Sequence, residues 1–155
     1  MDEILEKLLQ EEQELQFTQF NEDTTWELGS RLVEQARSMK LPVTIDITRG
    51  AHQLFHVSLP GTSADNDEWV KRKVRLVYRF GHSSYYMGQL LKAKGRRIEE
   101  AYLISESDYA PHGGSFPVRV KGTGMVGTIT VSGLPQEEDH KLVVDAIRDY
   151  LTQEM

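Results

Sequence analysis

The stretch Tyr109–Leu151 constrains the fold most: YAPHGGSFPVRVKGTGMVGTITVSGLPQEEDHKLVVDAIRDYL. Phe116, Val118 and Val120 alternate with Pro117, Arg119 and Lys121, the period-two pattern of a half-buried strand. Gly122 and Gly124 bracket Thr123 and give the backbone the freedom a hairpin needs. Met125, Gly127, Ile129 and Val131 then alternate with Val126, Thr128, Thr130 and Ser132. Gly133 ends this strand. Pro135 is expected in the first turn of a closing helix, where a missing N–H costs nothing, followed by the acidic run Glu137–Asp139. Leu142, Val143, Ala146, Ile147, Tyr150 and Leu151 form its apolar stripe. A strand–turn–strand–helix unit of this kind demands a sheet to extend and a layer to cover.

The upstream chain supplies both. Residues 2–16 read as a helix with a short apolar edge of Ile4, Leu5, Leu8 and Leu9, too little to hold a helix alone. Leu15, Phe17 and Phe20 suggest a short extended segment. Thr24-Thr25-Trp26-Glu27 has capping-box spacing and predicts a helix to about Lys40, with Trp26, Leu28, Leu32, Val33, Ala36 and Met39 buried and Pro42 as its stop. Val43, Ile45 and Ile47 alternate with Thr44, Asp46 and Thr48 in a strand. A turn at Arg49–Ala51 leads to a second strand, His52–Ser58, whose two faces both carry apolar groups and are expected to be covered. Two further helices follow, from about Asp65 to Phe80 and Ser83 to Lys94, with Gly95 as a C-terminal stop and a helical piece near Ile98. Four strands in two hairpins predict an α+β fold: a central antiparallel sheet covered by helices, in one domain over residues 1–155, helical over 1–41 and carrying the sheet from 42 onward.

Composition excludes several functions. The 155 residues contain no cysteine, so disulfides, thiolate metal sites and thiol nucleophiles are absent. The net charge of −6 argues against general nucleic-acid binding. The basic run Lys71–Arg75 is met by acidic residues at the start of the same helix, and dipole and i,i+4 pairing account for it. No apolar run approaches a membrane span, and the acidic opening MDEILEKLLQEEQE reads as neither signal nor transit peptide, so a soluble cytoplasmic protein is expected. No GxSxG, P-loop, dinucleotide fingerprint or zinc-protease motif occurs.

Three stretches carry candidate chemistry. In Tyr109-Ala-Pro-His112-Gly113-Gly114-Ser115, adjacent glycines let backbone N–H groups approach a ligand, and His112 can ligate iron or move a proton; a sharp turn into the strand is the competing reading. Arg79, His82, Ser83 and Ser84 sit at a helix start whose free N–H groups suit an anion, against simple capping by Ser83 or Ser84. Arg119 and Lys121, with Thr128 and Thr130 across the hairpin, form a polar patch that faces either a ligand, a subunit or water. His52 and His56 share a strand face, but the ligand set around them is incomplete and no metal is expected there. His140, beside Asp139, reads as part of a solvated helix face or as a contact to the helix start.

The run HGGSFPVRVKGTGMVGTITVSGLPQEEDH, with QLFHVSLPGTSADNDEWVKRK (Gln53–Lys73) and RFGHSSYYMG (Arg79–Gly88), resembles the haem-degrading-domain-like family of the GlcG/HbpS-type superfamily. The resemblance covers most of the chain beyond Leu41. It implies a profilin-like α/β sandwich with the last strand near the sheet centre, a homo-oligomer, and haem as a named ligand. The resulting expectation is an oligomeric small-molecule binding protein. Its anionic ligand, haem included, would sit among the His112 turn, the Arg79–Ser84 segment and Arg119. Two other functions fit the same residues. One is an enzyme with His112 as general acid/base on a small carboxylate held by Arg79 or Arg119. The other is a protein–protein interaction scaffold without a ligand.

Overall fold

The computed structural model describes residues 2–154. Its elements, in chain order, are α1 (Glu3–Glu14), α2 (Glu22–Ser38), β1 (Thr44–Arg49), β2 (His52–Ser58), α3 (Ala64–Phe80), α4 (Ser84–Lys94), α5 (Ile98–Tyr102), β3 (Ser115–Val120), β4 (Gly124–Ser132) and α6 (Gln136–Gln153). The four strands form one antiparallel sheet in the order β2-β1-β4-β3. β4 is therefore interior, as the resemblance implies. The two hairpins join through β1 and β4, with Ile45 opposite Val131 and Ile47 opposite Ile129.

Alternation divides the sheet into unlike faces. Ile45, Ile47, Phe116, Val118, Ile129 and Val131 bury themselves with Leu28 and Leu32 of α2 and Val143 and Ile147 of α6. Thr44, Asp46, Thr48, Ser115, Thr128 and Thr130 point the other way and are buried as well. They are covered chiefly by α3, whose Tyr78 hydroxyl lies 2.8 Å from Thr48 Oγ1. The Thr128–Thr130 patch is thus an internal polar layer and not a wet sheet face. Its hydroxyls are paired within it: Thr48 with Thr128 at 2.7 Å and Thr130 with Ser115 at 2.9 Å. A second apolar cluster joins α1, α3, α4 and α5 through Leu5, Leu8, Leu76, Met87, Leu91 and Ile98.

The sheet edges differ. Beyond β3 the chain at Phe17 makes a parallel bridge to Val120, with Phe17 N–H donating to Arg119 O and Lys121 N–H to Phe17 O. This is the extended segment expected near Leu15–Phe20. β2 forms the opposite edge, and it is not covered on both faces: Phe55 and Val57 are half-buried on the α2 side, and His52 is exposed.

Several local details depart from the expectations. The cap of α2 is Asn21, which accepts from Thr24 N–H, so the helix starts before Thr24; Trp26, two residues from Leu28, falls on the side away from the buried stripe of Leu28, Leu32 and Ala36. Trp26 is 69% exposed over the Phe55 ring, and Met39 is exposed past the helix end. Pro135 stands at the cap of α6, one residue ahead of its first turn. Ser63 caps α3, and Gly81 and Gly95 end α3 and α4 in the left-handed conformation.

Gly124 has φ +101 and open space around it, so a side chain there would meet strain but no neighbour. Gly124→Val is expected to cost about 1–3 kcal/mol, the penalty of a β-branched residue at positive φ. A thermal melt matching the wild type would show that the hairpin does not need glycine at this position.

Candidate functional site

His112 sits in the turn between α5 and β3, half-buried, with its ring edge-on to Trp69 of α3 at 5.5 Å. The Arg72 guanidinium lies over the same indole at 4.5 Å. Burial holds the imidazole below its ordinary value; the nearby Lys73 and Arg72 charges act in the same direction, and Glu106 opposes them. Burial thus favours the uncharged form of the ring. The hydrogen bonds found among the described residues engage neither of its nitrogens.

The two glycines beyond it make close approaches to the chain itself. Gly113 N–H donates to Gln136 Oε1 at 3.0 Å, and a Cβ there would collide with the Gln136 carbonyl and the Tyr85 ring. Gly114, at φ +139, packs against the Val131 carbonyl and Lys73 Nζ, and its own carbonyl accepts from Val131 N–H. The glycines dock the turn onto α6 and β4 and bring His112 beside α3.

Beneath this turn lies an ion pair whose members the sequence pattern assigns only to their own helices, Lys73 through dipole and i,i+4 pairing and Asp139 at a helix N-terminus. Lys73 and Asp139 are 3% and 1% exposed. Lys73 Nζ donates to Asp139 Oδ2 and to Val131 O, each at 3.2 Å. Asp139 also accepts from Leu134 N–H at 3.0 Å and Gly133 N–H at 3.3 Å. Desolvation outweighs their mutual attraction: it pulls the Lys73 amine down and pushes the Asp139 carboxyl up to about 6. A signal was present in the sequence. Lys73 falls three residues after Val70 and four before Val77, on the apolar stripe of α3.

The Arg79–Ser84 segment divides. His82, Ser83 and Arg119 converge on one carboxylate, Glu12 of α1. His82 Nδ1 lies 2.9 Å and Arg119 Nη2 3.2 Å from Glu12 Oε1, and Ser83 N–H donates to Oε2 at 3.1 Å. Arg119 also donates to the Gly81 carbonyl. The helix start thus holds an anion, and that anion belongs to the same chain. Ser83 Oγ caps α4 at Tyr86 N–H, while Ser84 Oγ accepts from Ser115 N–H at 3.0 Å and ties α4 to the His112 turn. Arg79 is apart from both groups: it is exposed, and its guanidinium lies over the Tyr109 and Phe80 rings.

Of the remaining histidines, His52 is exposed, and His56 and His140 are engaged in structure. His56 bridges Asp46 at 2.9 Å and Asp67 at 3.0 Å. His140 is not on a solvated face: it is 5% exposed, stacked near Tyr85, with Nε2 3.0 Å from Glu11 Oε1.

The family model for Haem degrading protein HbpS-like matches residues 20–148. This chain belongs to that family. Among HbpS-like relatives, a UPF0303 protein of Streptomyces coelicolor is 51% identical over 145 residues, covering 94% of this chain and 92% of its own. Among solved structures, the Ybr137w protein superposes with TM-score 0.90 at 32% identity, over 97% of this chain and 88% of that one. The fold is also that of HbpS, at TM-score 0.65 and 18% identity over 88% and 92% of the two chains. A PduOC–haem complex shares it too, at TM-score 0.64 and 17% identity over 79% and 89%. Among the described residues no helix is long and apolar enough to cross a membrane.

The buried pair yields a pH-dependent expectation. Asp139 ordinarily titrates near 3.8 and is raised to about 6 in the fold. Between those values the native state holds a proton that the unfolded chain releases, so this group's contribution to stability falls as pH rises through about 4 to 6. Lys73→Met leaves Asp139 buried without its cation and should sharpen that fall. Denaturant unfolding should show a loss of about 3–5 kcal/mol at pH 8 and a smaller one at pH 5, where the carboxyl can take a proton. A loss independent of pH would mean that the ion pair is not the source of the effect.

Proposed function

We propose that this HbpS-like chain binds a small anionic ligand at the His112 face, with haem the member of that class its family match names, and that it works as a homo-oligomer. The observation that carries the reading is the placement of His112: a half-buried imidazole edge-on to Trp69, with Arg72 stacked on the same indole and burial favouring the uncharged ring. A neutral imidazole is the form that ligates iron, an indole offers a flat apolar contact, and a guanidinium pairs with carboxylates such as porphyrin propionates. These residues fit haem: His112 would hold its iron through a ring nitrogen and Arg72 would pair with a propionate, and the bound group would supply an iron centre. With no cysteine in the chain, histidine is the strongest such ligand it has. The haem complex of the structurally similar PduOC supports the same class of ligand.

Arg72 replaces Arg79 and Arg119 in this reading because it shares the Trp69 ring with His112, with its Nε and Nη2 donating to the Glu106 carbonyl; Arg79 and Arg119 stand elsewhere, over Tyr109 and against Glu12. Haem titrated into the wild type should give a saturable Soret band, lost in His112→Ala and weakened in Arg72→Ala. A wild type without a saturable band would remove haem from the reading. Equal binding in the His112 variant would move the ligand to another residue.

Oligomer formation is supported by Trp26, exposed over Phe55 beside the open strand β2, an apolar surface that a neighbouring subunit would cover. Light scattering should give a mass well above the 17.7 kDa of one chain. A monomer at every concentration would refute assembly.

A further inference from the structure

Glu12 is 2% exposed, yet it arrives from a helix that packs over the domain. Its carboxylate is held by the His82 ring, the Ser83 N–H at the start of α4 and the Arg119 guanidinium of β3. All three donors lie within the residues matched by the family model, 20–148, whereas the carboxylate they hold lies outside that span. None of the three donors belongs to α1, which supplies only the carboxylate. Those donors also have capacity to spare, since Arg119 Nε is buried with no hydrogen-bond partner among the described residues.

The attachment of α1 is divided between a few contacts. Leu5 and Leu8 enter the cluster of Leu76, Met87 and Leu91, Glu11 meets His140, and Glu14 reaches the half-exposed Arg148 at 3.4 Å. A helix of 12 residues has little stability of its own in water, so its position depends on these contacts. Removing Glu12 from its partners would leave the part-buried Arg119 guanidinium and the buried Ser83 N–H without an anion, and a free carboxylate is the group that satisfies them.

We propose that His82, Ser83 and Arg119 form a carboxylate receptor, that Glu12 fills it as an intramolecular ligand, and that a small free carboxylate takes its place by displacing the last turns of α1. The site is separate from His112 and does not depend on ligand binding there.

Glu12→Ala empties the receptor while keeping its donors. Formate titrated into this variant should raise its melting temperature saturably, by about 2–4 °C beyond sodium chloride at equal ionic strength. Glu12→Gln fills the same space without charge and should respond to formate no more than to chloride. If Glu12→Ala does not fold alone, recovery of the fold in formate is the same readout. A Glu12→Ala response no greater than that to chloride, or an equal response in Glu12→Gln, overturns the receptor. Displacement is read in the wild type by hydrogen exchange: acetate should speed the amides of residues 8–14 saturably and leave those of β4 unchanged. Exchange insensitive to acetate overturns displacement and makes Glu12 a fixed structural group.

Discussion

The contact on which most of the structure depends is the buried ion pair between Lys73 and Asp139. It joins α3 to the start of α6, and through the Val131 carbonyl to the end of β4. Asp139 also gathers the N–H groups of Gly133 and Leu134, so the turn from sheet to helix is fixed by the same carboxylate. Gly114 packs directly on the ammonium, which places the His112 turn over it. Desolvation makes this pair expensive, and the hydrogen bonds to both ions offset that cost. A hydrophobic contact could hold α3 against the sheet. It could not specify which carbonyl and which amides meet there, and the position of His112 follows from those choices.

The polar layer around the pair obeys the same logic. One sheet face is apolar and accepts α2 and α6 by volume. The other is built from Thr44, Asp46, Thr48, Thr128 and Thr130, and it accepts α3 through donors and acceptors that must all find partners. The candidate ligand residues stand at the margin of this layer, where α3, α4 and the β3 turn meet. The preference of His112 for its uncharged form is a product of the same burial, reinforced by the positive charges of Lys73 and Arg72.

Much of the fold was legible in the sequence because hydrophobic period reports it directly. The alternation at Val43–Thr48 and Phe116–Val131 marked the strands, and Gly122–Gly124 marked the second hairpin. Cap positions were less so: capping-box spacing pointed to Thr24, whereas the cap is Asn21, three residues earlier. The candidate site was legible in part. His82, Ser83 and Arg119 do meet, but the sequence could not show that an acid 107 residues from Arg119 would meet them. A usable sign lay in the helices. Glu12 follows Leu5 and Leu8 on one stripe, Lys73 lies between Val70 and Val77, and His140 precedes Val143 and Ile147. Each is a polar residue at an apolar position, and each is buried against a partner from another element.

The unequal edges of the sheet bear on how copies of this chain can add to one another. The β3 edge is met at Val120 by the strand-like segment at Phe17, whereas among the described residues no strand lies beyond β2. A sheet that can grow at one side only cannot polymerise through its strands: two copies meeting edge to edge consume both free sides, and extension stops. The Phe17 bridge therefore works as a terminator. It limits strand pairing between copies to a closed pair and leaves any larger assembly to be built from side-chain surfaces.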